Sequence, residues 1–429
     1  MIGPLFRWAR QSRAVHDFAW TTAANILVKP AWFVFVTAAC MRAFGAAGYG
    51  VFVSAIALAS VFVILTEVGV SEYVMREVAR DRGRAPELFS NLVLARAGLG
   101  LASVGLAIVF AALVGYERAS WVAVGAAGLY ALGLRVNELC RGLYRASDAF
   151  AHDAVWTLIE RLATIATGLV ALVWVGTPTA VLIGLAVGVG LVVVGNLGWV
   201  AWRHKALSLQ WFRPSVVRTA YAASFAIGVF SLCAIVFHSA GPVLLAALVD
   251  DETAGLYGAA WRVVELYLLA PSLLTSVVTP RLASMAVQDG QPGFLRMVTQ
   301  SGALLLAMTG ALALLTGVLA EPLVRLLSGD ADFAETVGLL RWLAAAFPLM
   351  SLSMLLSLAL IASDRQGVAA LTIGLTAVLH IVACLVLIPT MGAEGVAIAM
   401  LGSYVVAVAL GAWVLWRWPV PAFRPVPAA

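Results

Sequence analysis

Residues 18–41 read FAWTTAANILVKPAWFVFVTAACM, an apolar run with Asn25, Lys29 and Pro30 in its middle. About twenty apolar residues cross the hydrocarbon core of a bilayer, and a lysine near its centre costs roughly 2.5–3.5 kcal/mol. Such a residue faces protein or water. Pro30 removes a backbone donor and crowds the carbonyl one turn earlier, so the helix is predicted to bend beside the charge. A bent helix with a midplane cation suggests a transport lumen. The alternative is that Lys29 neutralises a neighbouring carboxylate such as Glu67.

The rest of the chain resembles this stretch. With 62% hydrophobic and 11% charged residues over 429 positions, the composition excludes a soluble globular protein. The apolar segments are continuous and rich in Gly and Ala, the pattern of packed spanning helices and not of an alternating barrel. The fold class is therefore an all-α polytopic membrane protein. Cys40, Cys140, Cys233 and Cys384 stand alone in apolar runs, without a partner at metal-ligand spacing, and read as packing residues. No metal or cofactor is expected.

Twelve spans are predicted, at roughly 18–41, 50–73, 88–114, 120–142, 153–175, 179–202, 219–249, 254–281, 297–320, 335–362, 367–389 and 393–416. With both termini on one side, eighteen Lys and Arg residues fall on that side and only Arg42, Arg118 and Arg325 on the other. This bias places both termini in the cytoplasm. The net charge of +5 thus reports orientation, and no nucleic-acid partner is expected. Two lobes follow, 1–210 and 211–418, with a Pro-rich tail at 419–429 that reads as disordered. Ala47-Gly48-Tyr49-Gly50 and Ala254-Gly255-Leu256-Tyr257-Gly258 open the second and eighth spans alike, a weak echo between the halves.

Six cations remain inside spans: Lys29, Arg96, Arg135, Arg161, Arg262 and Arg341. The span acids are read as Glu67, Glu138, Glu160 and Glu265. Arg135 precedes Glu138, and Arg262 precedes Glu265, by three positions; each pair shares a helix face and can neutralise itself. Left free, the cations would meet an anion at successive depths. His238 and His380 read as packing residues rather than proton carriers.

Several stretches in order resemble the polysaccharide (oligosaccharide) flippase family of the multidrug, oligosaccharidyl-lipid and polysaccharide exporter superfamily. They are Phe44-Gly45 through Gly50, Glu67-Val68-Gly69-Val70 with Arg76-Glu77, and Leu143-Tyr144-Arg145-Ala146. In the second half they are Ala254 to Tyr257, Pro271, Pro280-Arg281-Leu282, and Ile388-Pro389 with Gly392 and Gly395 to Ala399. The resemblance implies two six-helix lobes around a central cavity that opens alternately to either side. It also implies a non-enzymatic protein that moves polyprenyl-pyrophosphate-linked oligosaccharides between leaflets of the inner membrane, beside a polysaccharide polymerase and glycosyltransferases. Related peptidoglycan-precursor flippases carry lumen cations on the first and eighth helices, which Lys29 and Arg262 match by helix and rough depth. Many members have an Asp in the seventh span near Gly241; here it is absent, which puts any coupling role for that acid in doubt.

The expected site is therefore Lys29, Arg262, Arg135, Arg161 and Asn25 for substrate, with Glu67, Glu138 and Glu265 as coupling or charge-pair acids. Two rivals remain. A cation-coupled multidrug exporter would expose acids in its lumen, and a glycosyltransferase or polymerase would need catalytic acids on a sizeable outer loop, whereas the outer loops here are short.

Overall fold

Among the described residues of the computed structural model ten stretches are long and apolar enough to cross a membrane, and every regular element is helical. The structure describes residues 32–67, 69–204, 207, 210, 212–288, 290–329 and 331–417. The helices are α1 (Ala39–Val63), α2 (Val70–Arg80), α3 (Ala85–Leu113), α4 (Arg118–Ala146), α5 (Phe150–Trp174) and α6 (Pro178–His204). They continue as α7 (Pro214–Leu248), α8 (Asp251–Tyr267), α9 (Leu269–Gln288), α10 (Gly290–Ser328), α11 (Thr336–Ala362) and α12 (Gln366–Arg417).

Two of the ten stretches contain a break, which reconciles ten with the twelve predicted spans. Gly45, at φ 65° and ψ −174°, interrupts Phe33–Arg80, and Gly392, at φ 55° and ψ −131°, interrupts Gln366–Arg417. Both need the positive φ that glycine alone adopts freely. Past Gly392 the chain folds back on itself: a Cβ on Gly395 would lie 2.8 Å from the Leu387 carbonyl. The part of the first predicted span before Trp32, with Asn25, Lys29 and Pro30, lies outside the described residues, as does the tail after Arg417.

Contacts divide the chain into two units. The first comprises Met1–Phe44 and Ala55–Gly228, the second Gly45–Ser54 and Val229–Ala429. The first unit is cored by Tyr73, Val74, Leu88, Phe89, Leu139, Leu143 and Val200. The second is cored by Leu282, Phe294, Val298, Leu355, Leu360 and Leu415. Large apolar side chains such as Leu113, Val173, Leu314 and Val318 are three-quarters exposed or more, as suits helices solvated by lipid. Trp174 and Trp202 stand exposed near helix ends, where an amphipathic ring suits the headgroup layer.

Within the second unit the two glycine motifs that echo in sequence cross each other. A Cβ on Gly50 would sit 1.6 Å from the Asp251 carbonyl oxygen, and one on Gly255 would sit 1.9 Å from that of Ala46. Backbone meets backbone there, so only glycine fits at either position.

Candidate functional site

Two groups of buried and half-buried charges in the first unit are assembled from helix ends and breaks. The first lies where the second span is interrupted. A 3-10 turn at Ile64–Thr66 and a left-handed Gly69 separate α1 from α2 and leave Glu67 at the break. Arg96 of α3 is fully buried and reaches this break, with Nη2 3.0 Å from Glu67 Oε2. Its Nη1 donates to Ser71 Oγ at 3.3 Å and to the Arg135 carbonyl at 2.6 Å. Tyr221 donates its hydroxyl to the Thr66 carbonyl at 2.9 Å.

The second group bridges α4 and α5 across the turn at residues 147–149, where Asp148 takes φ 58°. Glu138, Arg141 and Arg145 repeat at three and four positions on α4, and Asp153 and Thr157 face them from the first two turns of α5. Arg145 donates through Nη2 to Glu138 Oε1 at 2.8 Å and through Nε to Asp153 Oδ2 at 3.1 Å. Arg141 donates to the other Glu138 oxygen, and its Nη1 donates to Thr157 Oγ1 at 3.1 Å. Its Nε lies 3.8 Å from Asp153 Oδ1. Two guanidiniums thus balance two carboxylates, and Asp153 is only 2% exposed within the group.

Two expectations need correction. Arg135 does not pair with Glu138, because both oxygens of Glu138 are held by arginines nearer the helix C-terminus, one of them anchored in turn by Asp153. A cluster of cations in the last turns also suits the helix dipole. Glu67 is engaged by Arg96; the alternative that Lys29 neutralises it falls on a residue outside those described. Arg96 itself is sealed in protein and offers nothing to an anion in this conformation.

Arg135 is half-buried, and among the described residues its side chain has no carboxylate within ion-pair distance. Arg161, 27% exposed, has Nε 4.0 Å from Glu160 Oε1, a loose contact between chain neighbours. Arg96, Arg135 and Arg161 each lie eleven residues from the end of their helix that borders the α2–α3 or α4–α5 turn. At 1.5 Å per residue this puts all three about 16 Å along, at one level. Lys29 and Asn25 lie outside the described residues.

In the second unit Arg262 donates to Glu265 Oε2 at 2.7 Å, the i,i+3 pair expected from the sequence. The Arg262 side chain is 18% exposed and that of Glu265 46%. Arg341 donates from Nε to the Gly317 carbonyl at 3.3 Å. His238 stacks on Trp261 at 5.2 Å, and Phe237 lies 4.5 Å from the buried His380 ring. The two histidines belong to an aromatic cluster, as packing residues do.

Asp153, Thr157, Arg141 and Arg145 carry no expectation from the sequence. The arginines looked like loop charges marking orientation. The signal that could have found them is the joint pattern of Glu138, Arg141 and Arg145 on one helix face with Asp153, Thr157 and Glu160 on the next, across a three-residue turn.

The family described as "Polysaccharide biosynthesis protein" matches residues 14–286, well over half of the chain. No curated protein matches it in sequence. Among solved structures, an inward-facing multidrug resistance MATE family transporter of the MOP superfamily aligns over 95% of this chain and 96% of its own, with TM-score 0.70 and 15% identity. The lipid II flippase MurJ in an inward closed conformation aligns over 94% and 88%, also with TM-score 0.70 and 15% identity. A MOP superfamily transporter from Pyrococcus furiosus, described by the reverse polarity of its binding pocket, aligns over 94% and 95% with TM-score 0.62 and 14% identity. At such identities the likeness establishes the fold, the one shared by MATE and MurJ transporters.

Proposed function

Since the chain belongs to the polysaccharide biosynthesis protein family, we propose that it transports a lipid-linked saccharide bearing phosphate across the membrane, as a flippase and not as an enzyme. The observation that carries this reading is Arg135, a half-buried arginine at spanning depth with no carboxylate beside it among the described residues. A cation held without a counter-charge inside a membrane protein invites an anion. Arginine's planar fork suits the oxygens of a diphosphate. Arg161 stands at the same level, and Lys29 and Arg262 supply further cations on the first and eighth spans, with Asn25 as a polar neighbour of Lys29. Glu67 and Glu138 balance Arg96, Arg141 and Arg145, and Glu265 shares the charge of Arg262. The Lys and Arg bias between alternate loops supports an inner-membrane orientation with cytoplasmic termini.

A second reading is a multidrug exporter, and the fold comparison favours it, since MATE transporters recur among the matched structures. The two readings differ in the charge of the cargo. In proteoliposomes, a polyprenyl-diphosphate oligosaccharide should become accessible to the opposite leaflet only when the protein is present. Export of a lipophilic cationic dye with no movement of the glycolipid would replace the first reading with the second.

A further inference from the structure

Arg341 lies on α11 five residues past Thr336, where that helix begins. At 1.5 Å per residue it is about 8 Å from this end, which the Lys and Arg bias between loops puts on the outer side. The polar layer of one leaflet is roughly 5–8 Å deep, so the guanidinium is level with lipid phosphates and not with the midplane.

Helix rotation sets the direction it faces. Thr336 donates its hydroxyl to the Leu256 carbonyl at 3.2 Å, which turns that face of α11 toward α8. Five residues on, about 140° around the helix, Arg341 is exposed beside α10, where its Nε donates to the Gly317 carbonyl at 3.3 Å. Glycine has no side chain to cover that carbonyl, and nothing lies within 4 Å of a Cβ added there. The surroundings are apolar and open: Leu314, Leu315 and Val318 of α10 and Trp342 of α11 are all exposed. One turn deeper than Arg341, the surface of α11 is the small, exposed Ala345.

The nearby acids are engaged or turned elsewhere. Glu321, one turn outward from Gly317 on α10, pairs with Arg325 at 2.6 Å. Glu335, six residues before Arg341, falls on another face of α11. Among the described residues Arg341 has no carboxylate within ion-pair distance, and the Gly317 carbonyl takes up Nε alone. The two terminal nitrogens, the fork that matches a pair of phosphate oxygens, have no protein partner there. A cation at this level, flanked by exposed leucines, is complementary to a molecule with phosphate at one end and hydrocarbon at the other.

We propose that Arg341 and the α10–α11 surface around Gly317 bind an anionic phospholipid of the outer leaflet. The phosphate sits on the guanidinium, and an acyl chain runs down past Leu314 and Ala345. The assignment is independent of the cargo, and its test uses none.

The full-length protein is placed in nanodiscs of phosphatidylcholine containing a small fraction of phosphatidylglycerol with a diazirine high on one acyl chain. Irradiation expels dinitrogen, the carbene inserts into the nearest bonds, and peptide mass spectrometry locates the adducts. They should concentrate within residues 314–345. Extra unlabelled phosphatidylglycerol should compete, and soluble glycerol phosphate should not. Arg341→Ala should lower the yield in that segment about fivefold. Arg341→Lys should retain part of it, and Arg118→Ala, which removes an outer cation from the first unit, should leave it unchanged. Equal yields in this segment with and without the Arg341 charge, equal labelling by a phosphatidylcholine probe, or displacement by glycerol phosphate overturns the proposal.

Discussion

Arg96 donates to the backbone carbonyl of Arg135 at 2.6 Å while its other terminal nitrogen lies 3.0 Å from Glu67. One buried guanidinium therefore ties the break in the second span to the turn of α4 that presents the proposed substrate arginine. Loss of one partner of a buried ion pair leaves the other uncompensated, typically at about 3–5 kcal/mol. Arg96→Ala should lower the thermal unfolding temperature in detergent markedly, and the double variant Glu67→Leu with Arg96→Leu should recover most of that loss. Equal damage in single and double variants would mean that the pair does not act as a unit.

Arg135→Ala should behave in the opposite way. With no carboxylate left behind, stability should change by no more than about 0.5 kcal/mol, while glycolipid transport falls steeply. Arg135→Lys should restore part of the transport, as a point charge without the bidentate fork. Unfolding curves and leaflet-accessibility assays on the same preparations separate the two effects.

The crossing of Gly50 and Gly255 gives a steric prediction. A methyl group at either site would enter the space of a backbone carbonyl, at 1.6 or 1.9 Å, and overpacking of this kind costs about 1–3 kcal/mol. Gly255→Ala should therefore destabilise the second unit. Gly402→Ala, where nothing lies within 4 Å of the added carbon, should be neutral or slightly stabilising. Comparable unfolding temperatures for the two variants would show that the close approach is absent in the membrane.

Arg145 and Asp153 should be coupled across the α4–α5 turn. A double-mutant cycle of Arg145→Ala and Asp153→Asn should return a coupling of about 0.5–3 kcal/mol, as for other groups in one network. Additive effects would break the proposed balance of two arginines against two acids.

Much of the fold was legible because lipid imposes simple rules on sequence. Continuous apolar runs mark spans, and alternating loops carry cations unequally, so even the break at Gly392 fell between two predicted spans. The pair of Arg262 and Glu265 was legible for the same local reason, three positions on one helix face. The charges of the first unit were harder. Arg135 and Arg141 are each three residues from Glu138, and helix geometry alone does not choose between them; Asp153 decides, from the next helix. The contact of Arg96 with Glu67 spans two helices and has no local signature. Lys29, the residue that made the first span conspicuous, lies outside the described residues.

The proposed recognition of phosphate on a lipid carrier rests on cations without local partners. It is tested most directly by reconstituting the full-length protein, Lys29→Ala and Arg135→Ala into liposomes and following a fluorescent polyprenyl-diphosphate oligosaccharide between leaflets. The account predicts rapid movement with the unmutated protein, competition by unlabelled polyprenyl diphosphate, and near-background rates for both variants. Undiminished movement in both variants, or transport of cationic dye with none of the glycolipid, would contradict it.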